Sequence, residues 1–101
     1  ERQRLIDLID QSSSDTVLFI SGDRHRAGLY QLSSDSGKNI FEMTSSSLNL
    51  SFTNDEEAGP LRIGPTFVDE NYGEILLNNL TNKIIVNLKD NQGKVVQSLS
   101  L

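Results

Sequence analysis

The sequence predicts an α/β fold: one N-terminal helix followed by about six mostly antiparallel strands. Three observations carry this. Residues 1–12 space their apolar side chains as a helix does, residues 16–20 are apolar almost without interruption, and the remainder alternates short apolar segments with tight-turn signals.

In the first segment Leu5, Ile6, Leu8 and Ile9 gather on one side, with Arg2, Arg4, Asp7 and Asp10 elsewhere. That is a single apolar stripe, suited to a surface helix lying on a sheet. Ser12-Ser13-Ser14-Asp15 ends it, because these side chains compete for backbone hydrogen bonds and favour turns. Thr16-Val17-Leu18-Phe19-Ile20 then reads as a strand covered on both faces, and as the most buried element of the chain. After the loop 21–26, residues 27–32 and 40–44 alternate around the turn Asp35-Ser36-Gly37-Lys38, which predicts a hairpin with one buried face. The stretch from Ser45 to Pro65 holds neither period and reads as a long loop. Strands at 73–77 and 83–88 follow, and Asp90-Asn91-Gln92-Gly93 joins the latter to a closing strand at 95–99. A central strand needs neighbours on both sides, so the pattern predicts one compact unit, residues 1–101, that continues an upstream portion of the same domain.

Composition narrows the function classes. Nine basic residues against 14 acidic ones give a formal charge of -5, which disfavours a nucleic-acid backbone as the default partner. There is no cysteine, so thiol nucleophiles, zinc fingers and disulfide scaffolds are excluded. The apolar run Val17–Ile20 is far too short to span a membrane.

The best-placed loop for chemistry is Gly22-Asp23-Arg24-His25, because ligands of open α/β sheets sit beyond the carboxyl ends of strands. Gly22 permits a sharp turn, and in an extended backbone the i, i+2 spacing of Asp23 and His25 would point both side chains the same way. A carboxylate and an imidazole so placed could share metals, and Arg24 and Arg26 could reach an anion. On spacing alone, a solvated charge-paired loop competes with this. Ser45, Ser46 and Ser47 lack the elbow motif of a serine nucleophile and read as turn chemistry. Asp55-Glu56-Glu57 lacks the alternating ligands of a calcium loop and reads as a solvated charge run. Asn49-Leu50-Ser51 and Asn79-Leu80-Thr81 match glycosylation acceptors, a pattern too common to decide anything.

Phe19-Ile20-Ser21-Gly22-Asp23-Arg24-His25, then Phe41-Glu42-Met43-Thr44-Ser45-Ser46, then Thr66-Phe67-Val68-Asp69-Glu70-Asn71-Tyr72-Gly73 occur in the order and rough spacing found near the C-terminus of alkaline phosphatase D-like metallophosphatases. The opening residues 1–9 and closing residues 90–96 also resemble that family, so the likeness spans nearly the whole chain. The resemblance implies the C-terminal portion of a calcineurin-like metallophosphoesterase β-sandwich, with two packed mixed sheets flanked by helices and two metal ions at the strand ends. The wider superfamily closes its metal motifs with Gly-His-x-His. His25 stands at the second of those histidines, and Asp23 takes the place of the first, as is usual in this branch.

The implied activity is hydrolysis of a phosphate ester assisted by two cations: iron, zinc, manganese or calcium. His25 and Asp23 are then the metal-binding and catalytic candidates, and Arg24, Arg26 and Asn71 the candidates for substrate contact. Two metals need about six or seven oxygen and nitrogen ligands, more than this chain offers. The missing N-terminal part of the domain is therefore expected to supply the rest, and the isolated chain to be inactive. Family members are commonly exported, which implies an extracytoplasmic location. Loss of half a two-sheet core would expose strand edges and favour a homo-oligomer. Two other outcomes fit the same residues: a non-enzymatic β-rich accessory or interaction domain, and a degenerate metallophosphatase.

Overall fold

The computed structural model describes residues 1–50 and 59–101. Helix α1 spans Arg2–Gln11, and seven strands follow: β1 Thr16–Ser21, β2 Ala27–Ser33, β3 Asn39–Ser45, β4 Arg62–Phe67, β5 Asn71–Asn78, β6 Lys83–Asp90 and β7 Val95–Ser100. They form a four-stranded sheet in the order β1-β3-β2-β4 and a three-stranded sheet in the order β5-β6-β7. Among the described residues only β1 and β3 run parallel, and every other pair is antiparallel.

The turns follow from their residues. Between β2 and β3, Gly37 takes a left-handed φ of 86° and the Ser34 and Lys38 backbones close the turn at 3.0 Å. Between β6 and β7, the Asp90 carboxylate accepts the Gln92 and Lys94 amides, both at 2.9 Å, and Gly93 takes a φ of 81°. The tip of β5–β6 is held by the Asn78 side-chain oxygen, which accepts the Leu80 amide at 3.0 Å.

One core joins the two sheets. Ala27, Leu29 and Met43 from the first sheet meet Val86 and Leu88 from the second, with Leu18, Ile63, Phe67, Ile75 and Leu99 packed around them. Gly73 of β5 packs directly against Met43 of β3. A β-carbon there would lie 2.7 Å from Met43 Cε, so only glycine fits without displacing that side chain.

Two sequence expectations are corrected. The apolar strand β1 is not the most buried element: it lies at a sheet edge, it has no buried residue, and Ile20 is 65% exposed. A run of consecutive apolar residues does not distinguish a central strand from an edge strand, and here β3 takes the central place between β1 and β2. The span from Ser45 to Pro65 is not all loop, because β4 begins at Arg62 inside it. Gly64 and Pro65 masked the strand in the sequence, and both are tolerated because β4 is an edge whose register with β2 shifts between Ala27 and Leu29. The Asp55-Glu56-Glu57 run and part of the Asn49-Leu50-Ser51 acceptor lie outside the described residues.

Helix α1 keeps the predicted bounds within a residue at each end, but its stripe is only partly covered. Ile9 is buried and Ile6 half-buried, while Leu5 and Leu8 are 46% and 64% exposed. Its C-terminus is pinned by Lys38, whose ammonium donates to the carbonyls of Ile9 (2.9 Å) and Ser12. No helix among the described residues is long and apolar enough to cross a membrane.

Candidate functional site

The loop 22–26 leaves the carboxyl end of β1 beside the carboxyl end of β3, because the two strands run parallel. Parallel pairing thus sets His25 next to Ser45, Ser46 and Ser47. Ser46 Oγ accepts two successive backbone N–H groups of the loop, that of Arg24 at 2.9 Å and that of His25 at 3.0 Å. A hydroxyl placed on consecutive amides fixes a curled backbone. The backbone responds accordingly: Asp23 and His25 both adopt left-handed φ values, 69° and 53°. The extended geometry expected for these two residues is therefore corrected. Their side chains are aimed by a turn clamped on Ser46, not by strand alternation.

The His25 ring is held in one orientation. Its Nδ1 lies 2.9 Å from the Leu50 carbonyl oxygen, which can only accept, so Nδ1 carries a proton and the lone pair of the neutral ring belongs to Nε2. Ser47 Oγ donates to the same carbonyl at 2.9 Å, which fixes the acceptor itself. A histidine whose one nitrogen donates to a backbone carbonyl presents the other as a ligand of set direction. His25 is half-buried and Asp23 exposed.

The two arginines differ. Arg24 is exposed and donates to the Tyr30 hydroxyl at 3.2 Å, whereas Arg26 is buried and its Nε donates to the Arg24 carbonyl at 3.4 Å. Asn71 is 2% exposed at the start of β5. Its N–H donates to the Ser47 carbonyl (2.8 Å), its side-chain oxygen accepts from Ser45 Oγ (2.7 Å), and its side-chain nitrogen donates to the Asp69 carbonyl (2.7 Å). On the helix-facing side of the sheet, Ser21 Oγ donates to Glu42 Oε1 at 2.5 Å.

Five candidate residues thus collect around one feature, the serine run at the end of β3. Arg24 and His25 reach it through Ser46, with Asp23 and Arg26 on the same loop, and Asn71 through Ser45 and Ser47. The part played by these serines as anchors is not visible in the sequence, where they read as turn formers. The one signal that pointed to it was their position, a cluster of hydroxyls where a strand gives way to a loop. The donor set is incomplete for a metal pair: among the described residues no three His, Cys, Asp or Glu side chains stand together. His25 fits a metal as a single oriented ligand, and the described residues supply no full cage. No known family, curated protein or solved structure matches the chain.

Proposed function

We propose that this chain contributes the last metal-ligand loop of a metal-dependent phosphoric ester hydrolase of the calcineurin-like, alkaline phosphatase D-like kind. The observation that supports it most is the meeting of three separated stretches, 21–26, 44–47 and 69–73, at one end of two parallel strands. They overlap the stretches 19–25, 41–46 and 66–73 that carry the family resemblance.

In this proposal His25 Nε2 binds a metal, with Nδ1–H held by the Leu50 carbonyl. Asp23 lies on the solvent side of the same loop, as a metal ligand or as a base for a water within its reach. Two divalent cations, when bound, polarise the phosphoryl group and lower the pKa of a coordinated water. Arg24, exposed at the loop's rim, meets the phosphate oxygens, for which a guanidinium fork is well shaped. Buried Arg26 and Asn71 act on the loop's shape: the former bonds the Arg24 carbonyl and the latter ties β5 to Ser45 and Ser47. The remaining ligands belong to a longer polypeptide.

The test compares the chain with that longer polypeptide. The 101-residue chain is expected to turn over neither an aryl phosphate monoester nor a diester. In the protein that carries the remaining ligands, His25→Ala is expected to lower activity by more than the roughly 10–100-fold typical of removing an outer-shell partner, with a matching loss of bound metal. Full metal content and full activity in that variant would refute the assignment and favour an accessory domain.

A further inference from the structure

We propose that the cavity between α1 and the first sheet binds a primary alkylammonium ion, with the charged head on Glu42 and the alkyl chain beneath the helix. The phosphoesterase assignment is not needed for this, because no residue of the loop 22–26 lines the cavity.

The cavity measures about 350 Å³, within the range of about 300–1,000 Å³ usual for small-molecule sites. Its apolar walls include Leu5, Ile6 and Ile9 of α1 and Phe19, Leu32 and Ile40 of the sheet. Walls of this kind accept an alkyl chain but do not orient it. Orientation comes from Glu42, the one acidic residue among those described on the lining.

Strand register places that carboxylate. Glu42 of β3 stands opposite Phe19 of β1 on one side and Tyr30 of β2 on the other, so it lies between two aromatic residues on strands about 4.8 Å apart. Side-chain alternation turns this row away from the second sheet, since the neighbouring Leu29 and Met43 face that sheet's core. Glu42 is half-buried. Among the described residues its only hydrogen-bond partner is Ser21 Oγ at 2.5 Å, and it forms no ion pair. A carboxylate drawn partly out of water beside apolar surface, with no counter-charge, carries a desolvation cost that a bound cation offsets.

The polar atoms select the kind of cation. Ser21 spends its proton on Glu42 and so presents its oxygen as an acceptor, and Glu42 keeps its second oxygen. Acceptors suit the N–H groups of a primary amine, whereas a quaternary head has none to offer. The faces of Phe19 and Tyr30 add a favourable cation–π contribution, and the Tyr30 hydroxyl is held by Arg24 at 3.2 Å. Arg2, which also lines the cavity, is exposed, so solvent and salt screen its charge. A carboxylate head would meet Glu42 charge to charge, and an alcohol would leave Glu42 uncompensated.

The test titrates the chain at pH 7 with n-octylammonium, below the concentration at which it forms micelles, and follows the NMR spectrum. Saturable shifts are expected at Phe19, Tyr30, Glu42 and the residues of α1, with Val86 and Leu88 of the far sheet unmoved. On the same chain n-octanol and n-octanoate should each bind at least tenfold more weakly. Each methylene removed from the amine should lower affinity about fourfold, the factor that corresponds to about 0.8 kcal/mol per buried CH₂. Glu42→Gln keeps the size of the side chain and should weaken octylammonium at least tenfold. Octanol or octanoate binding as tightly as octylammonium overturns the proposal, and that comparison needs no variant to fold. So does an affinity unchanged in Glu42→Gln, or a titration with no saturable shift at these residues.

Discussion

Ser46→Ala isolates what shapes the candidate loop. The substitution deletes one oxygen that accepts two backbone N–H groups, from Arg24 at 2.9 Å and His25 at 3.0 Å. A net hydrogen bond contributes about 0.5–1.5 kcal/mol, and the Arg24 end is exposed enough for water to replace part of the loss, so about 1–2 kcal/mol is expected for the pair. Asp23 and His25 sit at φ values that cost non-glycine residues free energy, so a loop relieved of this clamp relaxes toward negative φ. Amide hydrogen exchange by NMR reads the effect where it arises. Protection of the Arg24 and His25 amides should fall about 5–30-fold, the factor that corresponds to 1–2 kcal/mol. Core amides such as those of Val86 and Leu88 should stay as protected as before. Ser46→Thr keeps the oxygen and should restore most of the protection. If Arg24 and His25 exchange equally in wild type and Ser46→Ala, Ser46 does not set the loop's shape.

The remaining predictions concern the frame around the site. Leu88 is fully buried between the sheets, and Leu88→Ala should cost about 2–5 kcal/mol in chemical denaturation. Gly73→Ala pushes a methyl against Met43 and should cost about 1–3 kcal/mol, part of which a shorter residue at position 43, as in Met43→Val, should restore. On the outer face of the second sheet, Glu74 is held below the usual carboxylate range, first by the hydrogen bond from Lys89 (2.7 Å) and then by that from Asn87 (3.0 Å). Its contribution is therefore present above the ordinary glutamate value of about 4.3 and is lost as pH falls through the lower folded value. The melting temperature of wild type should exceed that of Glu74→Gln at pH 6, and the difference should shrink as the pH is lowered below 4. A difference that is constant with pH would show that the ion pair contributes nothing to folding.

How much of this was legible in the sequence depends on the range of the interaction concerned. Elements set by local rules were readable: the helix by its apolar spacing, and the turns at 34–38 and 90–94 by Gly37, Asp90 and Gly93, whose conformations are determined within four residues. What depended on partners was not. Thr16–Ile20 has the apolar density of a buried strand, yet whether such a strand is central depends on which others join the sheet. β4 was hidden because Gly64 and Pro65 are strand breakers in general and harmless at an edge. At the site, the place of the loop directly after β1 was legible, but its backbone was not. The i, i+2 rule holds only for an extended chain, and the curl at Asp23 and His25 is imposed by Ser46, more than 20 residues away.

That long-range dependence bears on the way the candidate site is built. Two left-handed residues, a half-buried imidazole and a buried arginine within five positions form an unfavourable local structure. Such a loop persists only where surrounding groups over-determine it, and here they do: Ser46 holds two amides, Ser47 and His25 share the Leu50 carbonyl, and Asn71 locks the backbone of Ser47 from the opposite sheet. Each of these partners is independent of any ion. The direction of His25 Nε2 is thus set by the fold before a ligand arrives. In the proposed role, a ligand preset in this way would lose less freedom on binding a metal than one that the metal itself must order.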